Sequence, residues 1–136
     1  MKDFGFEITL QTNFDEAFNL LTSALKDEGF GVLTEIDVKD TLKKKIDVEF
    51  RKYKIIGACN PTLAYEALSN RPEIGLLLPC NATIEEDGKG GSIIRLLDPK
   101  IMIGFGGLAK DKTISSVAED AHKRMKRIED RLNEMT

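Results

Sequence analysis

Tyr53-Lys54-Ile55-Ile56-Gly57-Ala58-Cys59-Asn60-Pro61 runs a strand directly into a helix. The stretch Tyr53 to Cys59 is apolar on both faces around Ile55 and Ile56, which marks a strand interior to a sheet. Asn60 is a good helix cap, and Pro61 suits the first helical position because its missing N–H would have no partner there anyway. Leu63, Ala64, Ala67 and Leu68 then repeat at helical spacing, and Pro72 stops the short helix. The end of this stretch is echoed by Leu78-Pro79-Cys80-Asn81. Each copy sets a cysteine before an asparagine and beside a proline, and the two hold the only cysteines of the chain.

Upstream, Phe4, Phe6, Ile8 and Leu10 alternate with other residues, the period of a strand with one buried face. Asn13 and Glu16 form a capping-box pattern ahead of the helical stripe Phe14, Ala17, Phe18, Leu21, Ala24 and Leu25. Gly29 supplies the stop. Phe30 to Val38 reads as a second strand, with Val32, Thr34, Ile36 and Val38 on one face and Leu33, Glu35 and Asp37 on the other, partly solvated one. Lys39 to Ile46 forms a short helix or turn.

Downstream, Ile74 to Glu85 reads as a long fourth strand, with a bulge or edge position at Pro79 because proline cannot donate to the ladder. Asp87-Gly88-Lys89-Gly90-Gly91 is a hairpin turn by composition, and Ser92 to Leu97 is the fifth strand. The glycine-rich apolar linker Ile101 to Leu108 is expected to fold onto the body or onto a partner. In the last helix, Thr113 to Met135, the residues Ile114, Ala118, Ala121, Met125, Ile128, Leu132 and Met135 step by four and three. That seam suits packing on a sheet and is just long enough for a coiled coil.

The order is β-α-β-β-α-β-β-α, which fits an α+β domain with a single helix-covered antiparallel sheet of about five strands. At 136 residues the chain is expected to be one domain spanning 1–136, large enough to build a core without staples. A net charge of −3 argues against nucleic acid as a partner. The run Lys43-Lys44-Lys45 is diluted by Asp40, Asp47 and Glu49 and reads as a solvated face. No apolar run is long enough for a membrane span, and no signal-peptide core follows Met1. Two cysteines in such a chain suggest free thiols and a cytoplasmic setting.

Several stretches combine into a resemblance: Gly29-Phe30-Gly31-Val32-Leu33-Thr34-Glu35-Ile36-Asp37-Val38, Ile56 to Pro61, Glu73 to Asn81, and Asp98-Pro99. Together they resemble the small prokaryotic family catalogued as domain of unknown function 302, over nearly the whole chain. The resemblance implies a dimeric α+β domain with a curved antiparallel sheet similar to one repeat of the TATA-binding-protein fold. It implies no activity. Ile101 to Lys112 is the least typical part.

The residues that carry chemistry are few. Cys59 ends a strand just before a helix N-terminus, whose partial positive charge favours thiolate. Cys80 has apolar neighbours. Both thiols also fit plain burial, since free cysteine is among the most buried residue types. Parallel third and fourth strands would bring the two nearly level, but the resemblance implies antiparallel neighbours, on which, with Cys80 well along the fourth, they would stand some 15–20 Å apart, too far for a disulfide. Two cysteines alone fall short of the usual four zinc ligands, and no metal site is expected. His122 shows no orienting partner in the sequence and reads as a rim residue. Glu35 and Asp37, two apart on one strand, are ordinary on a solvated face. The cofactor is unknown. The reading reached is a homodimeric small-ligand-binding module with a cysteine-containing cleft, centred on Cys59, Asn60, Cys80 and Asn81. The alternatives are a thiol-dependent enzyme or redox protein using Cys59, and a structural interaction domain.

Overall fold

The computed structural model describes residues 3–135. Ten elements follow one another: β1 (Gly5–Leu10), α1 (Phe14–Asp27), β2 (Gly31–Asp37), α2 (Val38–Ile46), β3 (Tyr53–Cys59), α3 (Pro61–Asn70), β4 (Cys80–Glu86), β5 (Ser92–Leu97), α4 (Pro99–Met102) and α5 (Lys112–Asn133). Short 3-10 helices cover Pro72–Leu77 and Leu108–Lys110. The expected order holds, with α2 and α4 added. All five strands form one open antiparallel sheet in the order β1-β5-β4-β3-β2.

One face of the sheet carries the core. Ile8, Leu10, Ile56, Ile84, Ile94 and Leu96 project from alternate strand positions, and each is almost fully buried. They pack against Leu21 and Leu25 of α1 and against Met125, Ile128 and Leu132 of α5. The caps read from the sequence are formed. The Asn13 side chain accepts from the Glu16 amide at 2.9 Å, and Asn60 accepts from Leu63 at 3.2 Å. Gly29 leaves α1 with φ +84°, a conformation that glycine adopts at little cost. The Asp87 carboxylate closes the β4–β5 hairpin by accepting from the amides of Lys89 and Gly91.

Two sequence expectations need correction. The first concerns β2, an edge strand exposed along its whole length, with a register shift between Val32 and Thr34. A bulge adds one residue and reverses the alternation beyond it, so Val32 and Thr34 do not share a face. Val38 opens α2 instead of continuing the strand. The second is the long fourth strand. Pro72 to Leu77 is a 3-10 helix, and β4 begins only at Cys80. Pro79 therefore precedes the strand, joined to Leu78 by a cis peptide bond, and makes no bulge inside it.

The seam of α5 packs within the chain, as the sheet-packing reading expects. Ile114, Ala118, Ala121, Met125, Ile128 and Leu132 are all buried, which leaves no coiled-coil stripe; Met135 stays exposed. The linker after β5 contains α4 and a 3-10 turn. It folds onto the body through buried Met102 and Leu108, while Phe105 points to solvent. Among the described residues no helix is long and apolar enough to cross a membrane.

Candidate functional site

The two echoing motifs are neighbours in space. Strands β3 and β4 pair with Gly57 opposite Asn81 and Ala58 opposite Cys80. Cys59 lies one residue beyond that pair, so its α-carbon is about 6 Å from that of Cys80. The 15–20 Å separation expected from the sequence is overturned. That figure assumed a strand already several residues long at Cys80, whereas the preceding apolar run is coiled into a 3-10 helix and Cys80 is the first residue of β4.

Gly57 is needed for this approach. A β-carbon there would lie 2.7 Å from Cγ of the Pro79 ring and 2.3 Å from Oγ1 of Thr34. The first of these is a contact that a rigid ring cannot relieve by rotating. The missing side chain lets the Leu78-Pro79 turn settle on β3 and sets the register of the cysteines.

Cys59 and Cys80 both line one pocket of about 60 Å³, bordered by the ends of β3 and β4, α3, α4 and the first half of α5. Its lining side chains are apolar, among them Ile74, Met102, Ile114 and Ala118; the exceptions are Cys59, Cys80 and Asn60. Asn60 is buried and already engaged as the cap of α3. Gly29 faces it so closely that a β-carbon would sit 2.8 Å from Asn60 Nδ2. Burial pushes the Cys80 thiol up to about 11, with a smaller contribution from the charge of neighbouring Cys59. A buried thiolate lacks solvation, so Cys80 is held as thiol at neutral pH. Cys59 and Cys80 are both half-buried and free.

Asn81 does not belong to this cavity. It is exposed on the other face of the sheet, in a shallow groove of about 470 Å³ with Phe4, Tyr53, Thr83, Arg95 and Leu97. The four residues singled out in the sequence thus divide. Cys59, Asn60 and Cys80 come together, and Asn81 lies across the sheet. The same open face carries a chain of ion pairs that gave no local sequence signal. Glu85, 5% exposed, accepts from Arg51 Nε at 2.5 Å and from Arg95 Nη1, and Arg95 Nε donates to Glu7 at 2.9 Å. Thr83 Oγ1 beside them is buried, with no hydrogen-bond partner among the described residues.

His122 does have a partner. Its Nδ1 lies 2.8 Å from Asp98 Oδ1, and Phe6 stacks against the ring at 5.6 Å. Asp98 also caps α4 by accepting from the Lys100 amide. The pair adjoins the cavity wall through Pro99 and Ala121 but does not itself line it. The remaining candidates have structural employment. Glu35 pairs with Lys54 at 2.7 Å, and Asp37 caps α2 through the Asp40 amide. Lys43 pairs with Asp47 and Glu49, and Lys44 with Asp40, all on the surface. Among the described residues no group of three or more His, Cys, Asp or Glu side chains is placed to hold a metal ion.

No curated protein matches the chain. A solved structure that it resembles is that of an uncharacterized conserved DUF302 protein from Bacillus stearothermophilus. The two are 28% identical, with a TM-score of 0.81, over 95% of this chain and 98% of the other. The family described as "Domain of unknown function DUF302" matches residues 6–132, from the first strand to the last turn of α5, and the chain belongs to it.

Proposed function

We propose that this chain is a cytosolic, homodimeric module that binds a small apolar ligand in the cavity under Cys59 and Cys80. The observation that carries the reading is the cavity itself. A pocket of about 60 Å³ is well above the roughly 10–15 Å³ that admits one water, and apolar walls disfavour water. It is smaller than typical drug-sized pockets, so the ligand is a group of a few heavy atoms or the end of a short chain. Asn60 cannot turn to meet such a ligand without uncapping α3, which leaves Cys59 and Cys80 as the other residues of the lining that are not hydrocarbon.

The homodimer is supported by surface apolar groups away from the buried α5 seam. Val32, Leu33 and Ile36 are exposed on edge strand β2, with Ile46 and Val48 exposed in and just after α2. Exposed apolar groups along an unpaired sheet edge favour association. A second reading, thiol chemistry at Cys59, is favoured by its place immediately before the capped N-terminus of α3.

The test of the first reading is an amide NMR titration with linear alcohols of four to six carbons. Saturable shifts centred on Cys59 and Ala118 are expected, and they should vanish in Ala118→Leu, whose added side chain fills the void. Absence of saturable shifts in the wild-type protein refutes ligand binding. Light scattering across a dilution series tests the dimer separately, and a monomer mass throughout refutes it.

A further inference from the structure

We propose that residues 99–110 form a hinged wall of the pocket, a strap that lifts from the body as one unit and opens the way in for the ligand. The inference rests on the pocket reading above, which gives the wall something to admit. The strap supplies Pro99, Met102 and Ile103 to the lining. Its backbone is self-contained. The amides of Gly104, Phe105, Leu108 and Lys110 each donate to the carbonyl three residues back. Among the described residues, no backbone hydrogen bond joins 99–110 to any part of the chain outside 98–111. The strap therefore lifts without breaking a ladder or helix bond of the body, whereas the strands cannot part without doing so.

Both ends of the strap are pinned. Asp98 and Asp111 are extended, with φ −82°, ψ 116° and φ −85°, ψ 117°. The Asp98 amide donates to the Phe4 carbonyl at 3.0 Å, and its Oδ1 meets His122 Nδ1 at 2.8 Å. Asp111 accepts from Asn70 Nδ2 at 2.5 Å and from the Ile114 amide at 3.1 Å. Between the pins, side chains fasten the strap. Met102 and Leu108 are buried, Leu108 in a cluster with Ala67, Ile74 and Ile114. Lys100 Nζ lies 2.8 Å from Glu119 Oε2, and Ser115 Oγ donates to the Ala109 carbonyl at 2.9 Å. An ion pair as exposed as this one adds little. Gly106 and Gly107 take φ +59° and +74°, and a β-carbon on either would meet nothing within 4 Å, so this stretch stands clear of the body. A wall held by two apolar anchors over a self-contained backbone is the part of the pocket that opens at lowest cost.

The experiment combines native-state hydrogen exchange of the full chain, read by NMR, with iodoacetamide labelling of Cys80, which lines the pocket. A slow reagent reads the open population and not the opening rate. The amides of Gly104, Phe105, Leu108 and Lys110 should exchange with one shared opening constant, at least about a hundredfold larger than that of Ile84 and Ile94 in the sheet. Cys80 should label with that same constant, within about threefold. Leu108→Ala, at a position outside the pocket lining, should raise strap exchange and Cys80 labelling together by at least about tenfold. Lys100→Gln should raise both by up to about fivefold, and it serves if Leu108→Ala does not fold. Strap amides that exchange only as slowly as the sheet overturn the proposal. Cys80 labelling at the sheet's constant, or at the rate of a free peptide thiol, also overturns it, as does a folded variant that speeds the strap amides and leaves Cys80 unchanged. These readings use the unliganded protein, whereas the alcohol titration tests ligand binding, so a failure of one is distinguishable from a failure of the other.

Discussion

Replacing Glu85 with glutamine should destabilise the protein by about 2 kcal/mol at neutral pH. The carboxylate is 5% exposed and accepts hydrogen bonds from both Arg51 and Arg95. Hydrogen bonds to charged groups contribute roughly 1.5–3 kcal/mol each, and breaking a fully buried pair costs about 3–5 kcal/mol. The lower figure applies because neither guanidinium is stranded. Arg51 is half exposed and can be solvated, and Arg95 keeps Glu7 at 2.9 Å. For a domain of this length each kcal/mol moves Tm by about 3–5 °C, so a fall of about 6–10 °C is expected.

The pH dependence has a definite sign. Burial alone would raise the Glu85 pKa, but hydrogen bonds from Arg95 and Arg51 outweigh it and hold the carboxyl below its ordinary 4.5. A depressed folded-state pKa contributes stability that is present above the unfolded value and is lost as pH falls through the folded one. The gap between wild type and Glu85→Gln should therefore be full at pH 7 and shrink below about pH 4.5. Urea denaturation at a series of pH values measures it. A gap under about 0.5 kcal/mol at pH 7, or one that does not change with pH, refutes the argument.

Cys80 should alkylate far more slowly than Cys59 at pH 7, because burial keeps it protonated; iodoacetamide labelling read by peptide mass spectrometry checks this, and equal rates contradict it. Gly29→Ala should cost about 1–2 kcal/mol, since it forces an L side chain to φ +84° and against Asn60 Nδ2; thermal unfolding within error of wild type would show that both are relieved for free. Asn60→Ala should cost about 1 kcal/mol by uncapping α3, an effect visible in the urea midpoint. Leu132→Ala, at a site with no exposed surface, should cost about 2–5 kcal/mol, and a smaller loss would mean that the end of α5 is not packed on the sheet.

Strands β1, β3 and β5 and the caps of α1 and α3 were legible because each rests on local chemistry: alternation, or a side-chain oxygen three residues from the amide it accepts. The stretch Ile74 to Leu78 was not. Leu76-Leu77-Leu78 has no polar residue to reveal its period, so a 3-10 helix and a buried strand read alike. Read as strand, that run separates the cysteines along the sheet and conceals that both line one pocket. The bulge after Val32 left no mark in composition. The Asp98–His122 pair and the Glu85 ion pairs join residues 24, 10 and 34 positions apart, beyond the reach of any local pattern.

The fit of Gly57 beneath the Pro79 ring ties the histories of two separate stretches of the chain. A lineage that gains a side chain at position 57 must first surrender the ring at 79, and one that loses the ring opens a gap beneath it that a larger residue at 57 can fill. Drift at either position alone passes through a less stable ancestor. Gly57 and Pro79 are thus inherited most easily as a unit, and the cysteines one or two residues away travel with them.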